Sequence, residues 1–378
     1  MTARGRALAI LTGLAVFVAG WVAFVAGWSG PAGAGPSGRG SGVAGAHAAD
    51  LDAFRDELLV WAPGGFSERE VGRVRDSTRV AAISAVRTGL LPAASGRRGY
   101  GVVPVEAMAV DPSAYTTAAG RPGRKLVTLL PKGAVLSKTG AKLRRVKSGG
   151  RLRLDGNRSL RVSGVVNDAL LGGYEVALER QLARRYGIQR AAYLLVRPRG
   201  PVDGLRAEIR RLLRGRAVRF ATPGDRPFFR GGDGILPLGV VKDRFGEFAL
   251  PSLRRGRPDP AWTRANLVTR TMPLLGRVRC HRLVVDDLAE AMTALQGQKL
   301  GGLVDVADFR RTGGCWSPRL LRDARSGKLS RHAWGIAVSL KVTADERLIR
   351  TMAEHGFVWG GSFGRPDVAH FEWVGGGA

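Results

Sequence analysis

A two-part α+β chain carried behind a membrane anchor is the architecture the sequence predicts. Three observations predict it. Residues 7–28, "ALAILTGLAVFVAGWVAFVAGW", form a charge-free apolar run behind Arg4 and Arg6. A block of mixed helical and alternating patterns covers about residues 50–225, and a second mixed block holds four of the five histidines. A length of 378 residues is enough for two modest domains, each with its own core.

Positive residues ahead of a long apolar run make an export signal or an anchor. The run matches the roughly 20 residues of a spanning helix and exceeds the roughly 7–15 of a cleavable signal. An uncleaved anchor over residues 1–28 is therefore the expectation. "AGA" at 32–34 and "AHA" at 46–48 are small-residue cleavage sites that leave a secreted product as the alternative. Residues 29–48 are Gly, Ala, Ser and Pro with little to bury, a flexible tether.

The net charge of +29, from 60 Lys and Arg against 31 Asp and Glu, is spread along the chain. Such a surface attracts anionic membrane, cell wall or nucleic acid alike. Export sets nucleic acid aside, so none is expected as a partner. Two cysteines, Cys280 and Cys315, suggest one disulfide in an exported chain.

Within the first block, residues 49–225, "DLDAFRDELLVWAP" places Leu51, Phe54, Leu58 and Leu59 at helical spacing. "RVAAISAVRTG" and "EAMAVDP" read as strands, as does "YLLVRP". The alternation in "RLRLDGNRSLRVSGVV" around the turn signal "DGN" argues for a hairpin. "VDGLRAEIRRLLRG" is an amphipathic helix with Leu205, Ile209, Leu212 and Leu213 on one face. Its run "GNRSLRVSGVVNDALLGGYE" loosely resembles the extracytoplasmic region of lipoprotein-export ABC permeases, and no activity follows from that. Gly and Pro density in "TPGDRPFFRGGDGILP" marks a boundary, with 226–254 as a connecting segment.

Chemistry is concentrated in residues 255–378. In "GRPDVAHFEW", Asp367 stands three residues before His370, so one short segment can present a carboxylate and an imidazole to one cavity. A neutral imidazole is a good zinc ligand, and a nearby free carboxylate can take a proton from metal-bound water. His332 lies in a small-residue turn, "LSRHAWG", feeding an alternating strand on which Ser339 shares a face with Ala337. His355 and Gly356 read as a helix C-terminus and its cap. His281 reads as packed beside the disulfide, and Trp334, Trp359 and Trp373 as pocket wall and core.

Three segments, in order, then carry a family resemblance. "LSRHAWGIAV" resembles the S-x-H-x-x-G-x-A-x-D motif of the zinc D-alanyl-D-alanine carboxypeptidase and L-alanyl-D-glutamate endopeptidase (LAS-type) family. "GFVWGGSFGRPDVAHFEW" is similar to its closing W-G-G…D-x-x-H-F motif, and "GGCWSPRLL" to the segment with its substrate-facing arginine. The resemblance implies a C-terminal α+β domain with a small antiparallel sheet, acting on peptidoglycan stem peptides. It implies His332 and His370 as Zn2+ ligands, Asp367 as the catalytic carboxylate, Arg319 as the oxyanion partner with Arg322 close by, and Ser330 and Trp359 as substrate contacts.

The third family ligand is an aspartate, and that position here is Ser339. A neutral hydroxyl is a poor zinc ligand, whereas catalytic zinc usually has three protein ligands. Asp305, Asp345 and His355 are the nearby residues able to fill the gap. Two functions follow as expectations: an exported zinc peptidase that hydrolyses wall peptides, or a degenerate module of the same fold that binds wall peptides or a protein partner without cleavage.

Overall fold

The structure, a computed structural model, describes residues 54, 56–97, 100–223, 225, 230, 235–253, 257–311, 314–320, 328–340, 345–363 and 366–375. The apolar run 7–28 and the tether 29–48 lie outside the described residues. No helix among the described residues is long and apolar enough to cross a membrane.

Nine strands of the N-terminal part are β1 (Leu58–Phe66), β2 (Val80–Arg97), β3 (Tyr100–Val110), β4 (Ala134–Ser137), β5 (Arg151–Arg153), β6 (Ser159–Val166), β7 (Val176–Glu179), β8 (Ala191–Pro198) and β9 (Arg219–Ala221). Among the described residues they form one mixed sheet in the order β5-β6-β4-β7-β3-β2-β8-β1-β9. The strand, hairpin and helix patterns read from 80–213 all appear at their places. β5 and β6 pair antiparallel across "DGN", and helix Val202–Leu212 buries Leu205 and Ile209.

The helix expected over 50–63 is corrected to a strand from Leu58. Leu58 and Val60 enter one apolar cluster with the helices Glu68–Arg75 and Val202–Leu212, while Leu59 and Trp61 enter another on the opposite face with Tyr115 and Leu126. A strand buried on both faces is apolar at every position, so its sequence loses the alternation that separates strand from helix.

The C-terminal part holds a hairpin of β10 (Leu267–Met272) and β11 (Gly276–His281), and a three-stranded antiparallel sheet. That sheet contains β12 (Ala337–Ser339), β13 (Phe357–Trp359) and β14 (His370–Trp373), with β14 in the centre. The helices Val285–Gly297 and Glu346–Glu354 pack into the same apolar core as the sheet and hairpin. The protein is thus a mixed α+β fold with a small antiparallel sheet at its C-terminal end.

The described residues form one compact unit, in which segment 235–250 joins the nine-stranded sheet to the C-terminal core. Helix Leu238–Phe245 turns Leu238, Val241 and Phe245 into the C-terminal core. It sends Lys242 the other way, where the ammonium donates to both oxygens of Glu175 at 2.8 and 2.9 Å. Burial lowers Lys242 to about 8 against the opposing pull of Glu175, so it remains a cation at neutral pH. Val102 and Leu250 exchange backbone hydrogen bonds of 3.1 and 2.7 Å, tying β3 to the segment's end.

The fold is acid-labile in two windows. Burial lowers His281 to about 4, partly offset by its bond to the Phe245 carbonyl. The unfolded chain takes up that proton first, so the contribution is complete above about 6.5 and lost as pH falls to 4. Burial alone would raise Glu106, but Arg230, with Lys328 and Arg331 beyond it, lowers it from 4.5 to about 2. That contribution is complete above 4.5 and lost as pH falls through 2. Thermal unfolding from pH 8 to 2 is expected to show both falls, and His281→Gln is expected to reduce the first. An unchanged slope between pH 6.5 and 4 in the variant would refute the assignment.

Candidate functional site

The two motif histidines arrive from different elements. His332 sits in a single helical turn, Arg331–Trp334, whose N-cap Ser330 accepts from the His332 amide at 3.4 Å. Gly335 ends the turn at φ 67°, and a Cβ there would lie 2.7 Å from the His281 nitrogen. Only glycine meets both demands. The chain then enters β12, where Ser339 pairs with His370 and Ala337 with Glu372 across the antiparallel ladder. Cross-strand partners share a face, which sets Ser339, His370 and Glu372 on one side of the sheet.

His332 is fully buried, with its ring centroid 5.2 Å from that of His370. Its Nδ1 faces the carbonyl oxygens of Gly314 and Cys315 at 3.0 and 3.2 Å. Carbonyls only accept, so Nδ1 carries the proton and Nε2 the lone pair. That lone pair faces the Ser339 hydroxyl at 3.2 Å, and the hydroxyl donates to it. Burial, then the charges of His370 and Arg319, hold His332 well below the usual imidazole range, so it is neutral at neutral pH.

His370 is pinned at its other end. Its Nε2 donates to Oε1 of Glu372 at 3.3 Å, and Oε2 of Glu372 accepts from the Ile235 amide at 3.2 Å. The Phe363 ring stands edge-on at 6.0 Å. Glu372 is a site residue that the motif reading missed. Its signal is present in "HFEW": a carboxylate two places after the histidine on a strand shares its face.

Of the remaining motif residues, Asp367, Arg319 and Ser330 adjoin the segments that carry the two histidines, whereas Trp359 pairs with Phe371 and so lies on the opposite face of the sheet. Asp367 is exposed, its Oδ1 accepting from the Ala369 amide at 3.3 Å and its backbone carbonyl from the His370 amide at 3.1 Å. Arg319 joins the His332 turn through its carbonyl, which accepts from the Ser330 amide at 3.0 Å. Ser330 is buried as the turn's cap, and Trp359 donates from Nε1 to the Val368 carbonyl at 2.8 Å. Trp334 and Trp373 are core residues. Arg322 lies outside the described residues.

The donor set does not fit a three-ligand zinc centre. Each histidine has one nitrogen fixed by an acceptor, the arrangement that prepares a metal-binding imidazole. The third position is a hydroxyl already bonded to His332. Asp345 caps helix Glu346–Glu354, accepting from Arg347 and Leu348, and His355 closes its other end beside Glu290. Among the described residues, no three His, Cys, Asp or Glu side chains converge as a metal site, Asp305 included.

The Cys280–Cys315 disulfide ties β11 to the segment that orients His332. Both half-cystines are buried, with Cα atoms 5.3 Å apart. Cys280 lies on β11, and Cys315 carries one of the carbonyls that orient His332. The Cys280→Ser/Cys315→Ser double variant is expected to lose about 4 kcal/mol of stability in denaturant unfolding, as a closed loop spanning a separation of 35 residues implies. A change below the measurement error would remove the disulfide from the scaffold.

Comparison with curated proteins gives no match. Two solved structures share a weak likeness. The periplasmic region of MacB from Actinobacillus actinomycetemcomitans aligns at 12% identity and a TM-score of 0.33, covering 46% of this chain and 92% of that one. The extracellular domain of the noncanonic ABC-type transporter YknZ from Gram-positive bacteria aligns at 14% identity and a TM-score of 0.32, covering 44% of this chain and all of that one. The C-terminal sheet and its histidines fall in residues 324–373, the segment that matches the sequence model of the D-alanyl-D-alanine carboxypeptidase family, and this part of the chain is peptidase-like.

Proposed function

We propose that the protein is an extracytoplasmic, membrane-tethered module of peptidase fold that binds peptidoglycan stem peptides at the His332–His370 pocket without hydrolysing them through zinc. One observation carries this reading: the Ser339 hydroxyl occupies the His332 lone pair at the position where the family places an aspartate. A hydroxyl adds no negative charge to offset a divalent cation, and two imidazoles alone make a weak zinc site. The charged run ahead of residues 7–28 and the disulfide support an oxidising compartment outside the membrane. Arg319, joined to the His332 turn, is the peptide contact in this reading, whereas Trp359 lies on the opposite face of the sheet with Phe371 and Ser330 is spent as the turn's cap; Asp367 is left as an exposed carboxylate.

The hydrolytic reading draws on a different observation, the two histidines whose outer nitrogens are pinned in metal-ready tautomers. One experiment separates the two. The full-length chain in detergent is assayed for bound zinc, and for binding and cleavage of cross-linked and uncross-linked muropeptides, beside Ser339→Asp and His370→Ala. The natural chain is expected to bind muropeptide, to leave it intact and to hold zinc well below one equivalent. Losing even a second-shell group costs about 10–100-fold in metal affinity, so Ser339→Asp is expected to tighten zinc by about 100-fold. Stoichiometric zinc with cleavage that His370→Ala abolishes would establish the hydrolase instead.

A further inference from the structure

The two oxygens of Glu372 are divided between His370 and the amide of Ile235, which belongs to the connecting segment and not to the peptidase-like sheet. The next residue, Leu236, accepts from the Arg331 guanidinium at 2.6 Å, beside His332. Two residues further, the Leu238 amide donates to Oε2 of Glu106 on β3 at 3.3 Å. Arg230, upstream in the same segment, forms a two-point pair with Glu106, one contact at 3.0 Å, and lies 4.0 Å above the Tyr174 ring. Both partners of that pair are almost wholly out of water, with side-chain exposures of 11% and 7%. A short strap therefore touches the carriers of both histidines on one side and a buried ion pair of the N-terminal sheet on the other.

We propose that the Glu106–Arg230 pair positions His370 from the N-terminal sheet, acting through the Ile235–Leu238 strap and Glu372, so that the pocket is aimed only while the strap is seated. The strap's main chain has few alternatives: Pro237 fixes one φ, and the amides of Ile235, two residues before it, and Leu238, just after it, are given to Glu372 and Glu106. Breaking a buried pair by removing one charge leaves the other uncompensated, which displaces the strap rather than loosening it slightly. With Ile235 displaced, Glu372 loses one of its two anchors, and His370 loses the carboxylate that fixes its ring. Glu106 is a positioning residue here, since it touches neither histidine. The proposal is independent of which ligand the pocket takes.

The test is the rate at which diethyl pyrocarbonate modifies each histidine of the full-length chain, read by peptide mass spectrometry. His370 is scored against His355 at the end of helix Glu346–Glu354, and buried His281 and His332 report global opening. Glu372→Ala, Glu106→Gln and Arg230→Met are each expected to raise the His370/His355 ratio about fivefold or more, the usual scale of intersite coupling. Glu57→Gln, which breaks the Glu57–Arg197 pair elsewhere on the sheet, is expected to leave it unchanged. The Glu106→Gln/Glu372→Ala double variant is expected to react no faster at His370 than Glu372→Ala alone, as two steps of one path require. The proposal is overturned if both strap variants, Glu106→Gln and Arg230→Met, leave His370 at its natural rate, or if the Glu106 and Glu372 effects multiply. Acceleration of His281 and His332 together with His370 in both strap variants would also overturn it, because the pair would then hold the fold and not aim one ring.

Discussion

Glu106 and Glu175 are carboxylates held out of water at the seam where the nine-stranded sheet meets segment 235–250, and an ionised carboxyl is tolerated there only beside a cation. The cations that make the closest contacts are Arg230 and Lys242, both supplied by the connecting segment, with Arg144 of the N-terminal part at 4.0 Å from Glu175. Much of the molecule's organisation depends on that pairing. Lys242 can reach Glu175 only if helix Leu238–Phe245 lies along the seam, and in that position its opposite face closes the C-terminal core with Val241 and Phe245. One eight-residue helix thus satisfies an electrostatic demand on one side and an apolar one on the other. The Phe245 carbonyl extends the join, accepting from both the Trp262 and His281 rings.

Most of the N-terminal architecture was readable from pattern because its elements are half-buried or end in turn residues. The β5–β6 hairpin declares itself by alternation around Asp155-Gly156-Asn157, and helix Val202–Leu212 by its apolar stripe. β1 did not, since a central strand with Leu58, Leu59, Val60 and Trp61 all buried has no periodicity to show. The pocket was half readable. His332, His370 and the altered position at Ser339 follow from motif spacing, and the helix end at His355 follows from its glycine cap. Glu372 went unseen because a motif names conserved chemistry and says nothing of which neighbour orients it. The strap was invisible for a different reason. Ile235, Leu236 and Leu238 act through backbone amides and a carbonyl, and no side-chain pattern encodes where a main-chain donor will point.

Within the pocket, the electrostatics favour a neutral His332 throughout. Its acceptors are carbonyl dipoles, not a carboxylate, and the nearby Arg319 guanidinium opposes a second positive charge. The buried carboxylate on this face, Glu372, serves His370. The two rings lie side by side with different partners, one held by dipoles and a hydroxyl, the other by a charge that answers in turn to the strap. They are therefore unequal in how they respond to the rest of the molecule: His332 answers to the disulfide-tied segment that orients it, His370 to the junction between the sheets.

The bond between Ser339 and His332 has a consequence for how such sequences evolve. An imidazole buried without any partner on Nε2 would cost the fold a lost hydrogen bond. A serine at the aspartate position meets that need with a neutral donor of the right reach. The histidine is then retained by selection for folding alone, whether or not chemistry persists. Where a serine stands at this position, an intact pair of histidines is accounted for by folding alone, and the residue opposite His370 across the ladder is the one that bears on chemistry.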